Sequence, residues 1–134
     1  MIILSNSVAQ TLSPGQSATF DTIVLNTGCA ECFRPNSGAV RLKFKNSIYD
    51  VCFGANIGAT AAGAAQLAIA YDSSPMLETT MISQTAAAGN LNNVGAETSV
   101  KSDCCQGGSL TVVNTGTTDV TIGPNPKLRV RRIA

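Results

Sequence analysis

Side chains that change character at every second residue constrain this chain more than any other feature, because only a β-strand sends successive side chains to opposite faces. In SIYDVCFGANIG, residues 47–58, Tyr49, Val51, Phe53, Ala55 and Ile57 fall on one side, and Asp50, Cys52, Gly54 and Asn56 on the other. VRLKFK at 40–45 repeats the pattern, with Val40, Leu42 and Phe44 opposed to Arg41, Lys43 and Lys45. Each stretch reads as a half-buried strand.

The alanine-rich stretch GANIGATAAGAAQLAIAYD, residues 54–72, tests this reading, since its composition invites a helix. Its glycines argue against one, each costing a helix interior about 0.8–1.0 kcal/mol relative to Ala. From Gln66 the alternation resumes, with Leu67, Ile69 and Tyr71 on one side and Ala68 and Ala70 on the other. We therefore expect strand, glycine-alanine turn, strand, paired as a hairpin. Further strands are expected in SATFDTIVLNTG, LETTMIS, ETSVKSD and KLRVRRI, with a second hairpin in SLTVVNTGTTDVTIG whose Asn114-Thr115-Gly116 turn supplies left-handed residues. VLNTG at 24–28 nearly repeats VVNTG at 112–116, which reads as one turn chemistry used twice. About eight to ten short strands separated by turn signals indicate an all-β, antiparallel sandwich or barrel. Its expected buried residues are Tyr49, Val51, Phe53, Leu67, Ile69, Tyr71, Leu110 and Val112.

A chain of 134 residues suits one domain over 1–134, with 1–11 as an N-terminal arm or edge strand. Only 13% of residues are charged, against roughly a quarter in soluble domains, so much of the surface must be Ser, Thr, Asn, Gly and Ala. Such a surface suits packing against other protein. The net charge of +1 provides no basic field for phosphates, so nucleic acid is not expected as a partner. MIILSNSVAQ does not read as a signal peptide, because three apolar residues follow the Met and the first basic residue is Arg34. Synthesis in a host cytoplasm without membrane insertion is the expectation.

The chemistry-bearing residues are sparse. With no His, Ser-His-acid triads and Cys-His dyads are excluded. The acids Asp21, Glu31, Asp50, Asp72, Glu78, Glu97, Asp103 and Asp119 sit mostly at turns or strand ends, where solvated or capping roles are the default. GANIGATAAG lacks the Lys-Ser/Thr ending of a phosphate loop. No catalytic, cofactor-binding or metal residue is expected, and no cofactor. Cys29, Cys32, Cys104 and Cys105 are read as loop thiols or disulfide partners, and Cys52 as a small buried hydrophobe. A zinc site would have the right half in Cys29 and Cys32, but the adjacent pair 104–105 is poorly placed to aim both sulfurs at one ion. Two cationic runs are candidate docking charges: Arg41, Lys43 and Lys45, and Lys127, Arg129, Arg131 and Arg132.

NSIYDVCFGANI, QLAIAYD and GGSLTVVNTGTTDVTI, with a short terminal strand, together resemble the jelly-roll head of the complement and tumour-necrosis-factor superfamily. In particular the chain is similar to its bacterial and phage forms, small fibre or capsid-decoration proteins of phages and the heads of collagen-like spore-surface proteins. The resemblance covers roughly residues 12–134 and rests on loose patterns of Tyr, Val, Gly and Thr. It implies a jelly-roll sandwich that assembles as a homotrimer, with one sheet face around the threefold axis. A virion component is the first functional expectation, with itself and other virion or surface proteins as partners. The alternatives are a module that binds a carbohydrate, such as a host glycan, or another surface, and a head domain located at a spore or cell surface. The absence of a Gly-x-y stalk favours a free-standing head.

Overall fold

The computed structural model describes residues 1–85, 87–103, 105 and 108–134. Their strands fall into two antiparallel sheets. The first contains β1 (Ile2–Ser5), β2 (Gln10–Leu12), β3 (Thr22–Asn26), β6 (Ile48–Ala59), β10 (Asn92–Lys101), β12 (Val120–Ile122) and β13 (Lys127–Arg132). The second contains β4 (Glu31–Phe33), β5 (Val40–Leu42), β7 (Gly63–Tyr71), β8 (Ser74–Pro75), β9 (Met81–Thr85) and β11 (Gly108–Asn114).

In the first sheet β10 lies on one side of β6, while β13 and β12 share its other side. β1 then pairs with β13, and β3 with β1. Ile2 lies opposite Val130 and Leu12 opposite Val120, one register across both interruptions, so β1 with β2 and β12 with β13 act as two broken long strands. Residues 1–11, expected as an arm or edge, thus supply β1, an interior strand, and most of β2, an edge. The second sheet runs β4–β5–β11–β7, with β8 and β9 sharing the far side of β7.

The alternation written in the sequence becomes the core. Tyr49, Val51, Phe53, Ala55 and Ile57 of β6 are buried, as are Leu67 and Ile69 of β7 and Leu110 and Val112 of β11. Tyr71 is half-buried against the same cluster. Each large apolar side chain so enclosed contributes about 1.5–3 kcal/mol. The Tyr49 hydroxyl donates to Ala30 O (2.9 Å) and accepts from Phe44 N (3.2 Å), and burial pushes its pKa upward. Phe20 and Phe33 meet edge to face, with centroids 6.3 Å apart.

Several expectations need correction. Residues 54–72 do form strand, turn and strand, but β6 and β7 belong to opposite sheets and are not a hairpin. Both flanks of β6 are already occupied, by β10 on one side and β12 and β13 on the other, so the chain must cross to the second sheet. Close approach explains one glycine here: a Cβ on Gly58 would collide with the Asn90 carbonyl oxygen. Likewise β11 and β12 are not a hairpin, because β12 leaves to pair with β6 and β2. Strand β5 ends at Leu42, and Phe44 is turned out of the core with the Arg132 guanidinium 4.4 Å above its ring. Leu77–Thr79 forms a 3-10 turn rather than strand. β13 ends at Arg132; Ile133 is exposed, although its N–H still donates to Ile48 O at 2.8 Å.

Candidate assembly surface

The outward side chains of the first sheet lie in rows across neighbouring strands. In one row Asp50 of β6 sits between Arg131 of β13 and Ser99 of β10. Its carboxylate accepts from Ser99 Oγ at 2.6 Å and Arg131 Nη2 at 3.3 Å. The Ser99 hydrogen bond first, and the Arg131 contact after it, hold the Asp50 pKa below its ordinary 3.8. The next row carries Leu25, Ile3, Arg129, Cys52 and Glu97 on β3, β1, β13, β6 and β10. There Arg129 Nε is buried without a hydrogen-bond partner.

In the third row Gly54 and Gly95 face one another beside Lys127. Neither has positive φ, and a Cβ on Gly54 would meet nothing closer than 3.8 Å. The missing side chains leave a groove of about 400 Å³, lined also by Cys52, Asn93 and Glu97. Asn93 donates to Asn56 Oδ1 at 3.2 Å in the row beyond.

The two edges of this sheet differ. β10 is polar and carries Glu97 and Ser99. β3 is apolar and open: all five residues are exposed, with Ile23 at 38%, Val24 at 60% and Leu25 at 38%. An unpaired edge with adjacent large apolar side chains is a site for protein contact.

No protein-family model matches the sequence, and no curated protein matches it significantly. Solved structures do. The globular domain of zebrafish complement 1qA superposes with a TM-score of 0.71 at 12% identity, covering 99% of this chain and 96% of that one. Eiger TNF from S. frugiperda gives 0.77 at 9% identity, over 99% and 91%. The PRD1 vertex protein P5 gives 0.53 at 12% identity, over 99% and 97%. The fold is the complement/TNF-like jelly roll.

Within the jelly roll the two cationic runs start on opposite sheets and approach one another only where Arg132 lies over Phe44, between Lys43 and Lys45. Arg41 projects from the second sheet in a row with Cys32, Ser109 and Asp72, where a groove of about 360 Å³ opens beside Arg41 and Asp72. Lys43 and Lys45 follow β5 and are exposed. Lys127, Arg129 and Arg131 belong to the first sheet. Arg132 is tied down locally: its side chain covers Phe44 and its backbone N–H donates to Glu31 Oε1 at 3.1 Å.

Glu31 overturns its reading as a solvated strand-end acid. It is 3% exposed, and its Oε2 lies 3.1 Å from the Met1 ammonium, which donates its aligned hydrogen bond to Thr27 O at 2.7 Å. A short turn-flanked segment gave no sign that a carboxylate would be enclosed there. Cys29, Cys32 and Cys52 are free thiols, so no disulfide joins them; the Cys105 backbone N–H donates to Asp103 Oδ1 at 2.7 Å, and Cys104 lies outside the described residues. Cys52 is not a core residue but a half-buried one on the outer face, as its place opposite Tyr49 and Val51 requires. Among the described residues no three His, Cys, Asp or Glu side chains are grouped to hold a metal, and no helix is long and apolar enough to cross a membrane.

Proposed function

We propose that this chain is a non-enzymatic structural protein, a homotrimeric jelly roll whose first sheet turns its outer face to the threefold axis, built into a virion as a capsid decoration or a head or tail fibre. The exposed β3 edge carries this reading. Ile23, Val24 and Leu25 stand in water in the single chain, and a closed ring of copies is the economical way to cover such an edge while leaving none open. The low charge of the chain as a whole supports the same arrangement, and the adjoining face carries both signs, Asp50 and Glu97 among Lys127, Arg129 and Arg131, for a neighbouring copy to meet. Likeness to a phage vertex protein supports the virion setting.

Light scattering on the purified protein at micromolar concentration should give three times the 13.7 kDa chain mass. A particle of single-chain mass at that concentration overturns the reading. Mass spectrometry of purified particles should find the chain as a stoichiometric component.

A further inference from the structure

Arg129 and Glu97 lie in one row of the outer face with only Cys52 between them. Arg129 has its Nε sealed from solvent without an acceptor, and its guanidinium makes no hydrogen bond or ion pair among the described residues. An enclosed N–H of a cation with no acceptor is costly, because its hydration is lost and nothing replaces it. Glu97 is exposed on β10 and likewise has no hydrogen bond or ion pair among the described residues. Asp50, the other acid of this face, is already held by Ser99 and Arg131.

Within this row Arg129 stands at the middle of the face and Glu97 at its edge, two strand spacings or about 10 Å apart. The Lys127 side chain in the next row is likewise without a hydrogen bond or ion pair among the described residues, and Arg129 reaches Asp50 through its charge alone. A head-to-tail contact brings the edge of each copy onto the middle of the next, and closing the ring gives every Arg129 one carboxylate. The groove at Gly54 and Gly95, directly beside this row, leaves room for a neighbouring backbone to come close. A second copy is the fitting occupant because both halves of the charge pair are written on the same chain.

We infer that, in the assembled protein, Glu97 of each copy pairs with Arg129 of the adjacent copy, so that the β10 edge docks over β13 and β1 of its neighbour. This pairing rests on the self-assembly reading above and specifies its register. Charge reversal tests it: Glu97→Arg and Arg129→Glu should each weaken assembly roughly a hundredfold in the concentration of half-dissociation, and the double reversal should recover most of the loss. Far-UV circular dichroism checks that each variant keeps its sheet.

A second measurement serves if a reversal unfolds the chain. In Arg129→Lys, a carbodiimide activates the Glu97 carboxyl and the introduced amine displaces the urea, forming an amide between copies. Linked species should appear on a denaturing gel and vanish when Glu97→Gln is added. Wild-type trimers that persist in both single reversals, or cross-links indifferent to Glu97→Gln, overturn the pairing while leaving assembly intact. A wild-type chain that stays monomeric overturns both.

Discussion

Two nearly identical pentapeptides meet opposite fates in this molecule. VLNTG at 24–28 ends β3, where every strand residue is exposed, and VVNTG at 112–116 ends β11, where Val112 is fully enclosed and Asn114 is 1% exposed. Their turns differ as well. Gly28 takes φ +78°, which favours glycine, whereas Asn114, Thr115 and Gly116 all avoid positive φ. The second turn is instead organised by the Asn114 side chain, which accepts from Gly116 N (2.9 Å) and donates to Thr118 O (2.9 Å) and Leu12 O (3.0 Å). That last bond ties the second sheet to β2 of the first. The expected single turn chemistry, with left-handed residues at 114–116, is thus replaced by two: a glycine conformation at one site and a buried amide at the other.

What differs is the surroundings. β11 is flanked by β5 and β7 and covered by the facing sheet, while β3 has β1 on one side and an open edge on the other. The contrast is sharpest for Asn114→Ala, which removes three hydrogen bonds, one of them a buried bond to the Leu12 carbonyl. It should cost about 3 kcal/mol in urea unfolding with an unchanged m-value, while Asn26→Ala stays within about 0.5 kcal/mol. A loss below 1 kcal/mol at Asn114 would mean that water replaces the amide and the two sites are alike after all.

Next in size, Val112→Ala should lose about 2 kcal/mol through unfilled core volume, whatever the protein concentration. Val24→Ala should change single-chain stability by less than about 0.5 kcal/mol and act only on the concentration dependence of the melting temperature, because its side chain is enclosed by assembly alone. A Val24 variant whose melting is lowered equally at all concentrations would break the comparison. The smallest contrast lies at the glycines. Gly28→Ala forces a left-handed Ala and should cost about 1 kcal/mol. Gly116→Ala needs only a slight shift of the Gln66 Cβ, which an added methyl would approach to 3.2 Å, and should stay within about 0.5 kcal/mol by thermal melting.

Legibility followed the same division. Alternation named the inward residues of β6, β7 and β11 correctly, because which side chains share a face is a local property of an extended backbone. The same alternation puts Cys52, Gly54 and Asn56 together on the outer side, which is where Cys52 lies although a small apolar thiol suits a core. Partners were less visible. Both expected hairpins failed, since the strands beside β6 are β10, β12 and β13, more than thirty residues away in sequence. Of the candidate assembly surface, Arg129 and Arg131 stood out in a cationic run. Glu97 and the β3 edge did not, because an acid in a polar strand and a VLN run in an apolar one look ordinary until their neighbours are known.

The residues alone determined that this chain is extended, that its strands have one apolar face, and that histidine-based chemistry is absent. Tertiary structure decided which strands pair, which apolar run is enclosed and which is left in water, and which two charges end in one row without partners. The reason is range: side-chain alternation is fixed by backbone geometry within a few residues, whereas burial and pairing depend on segments brought together across the whole chain.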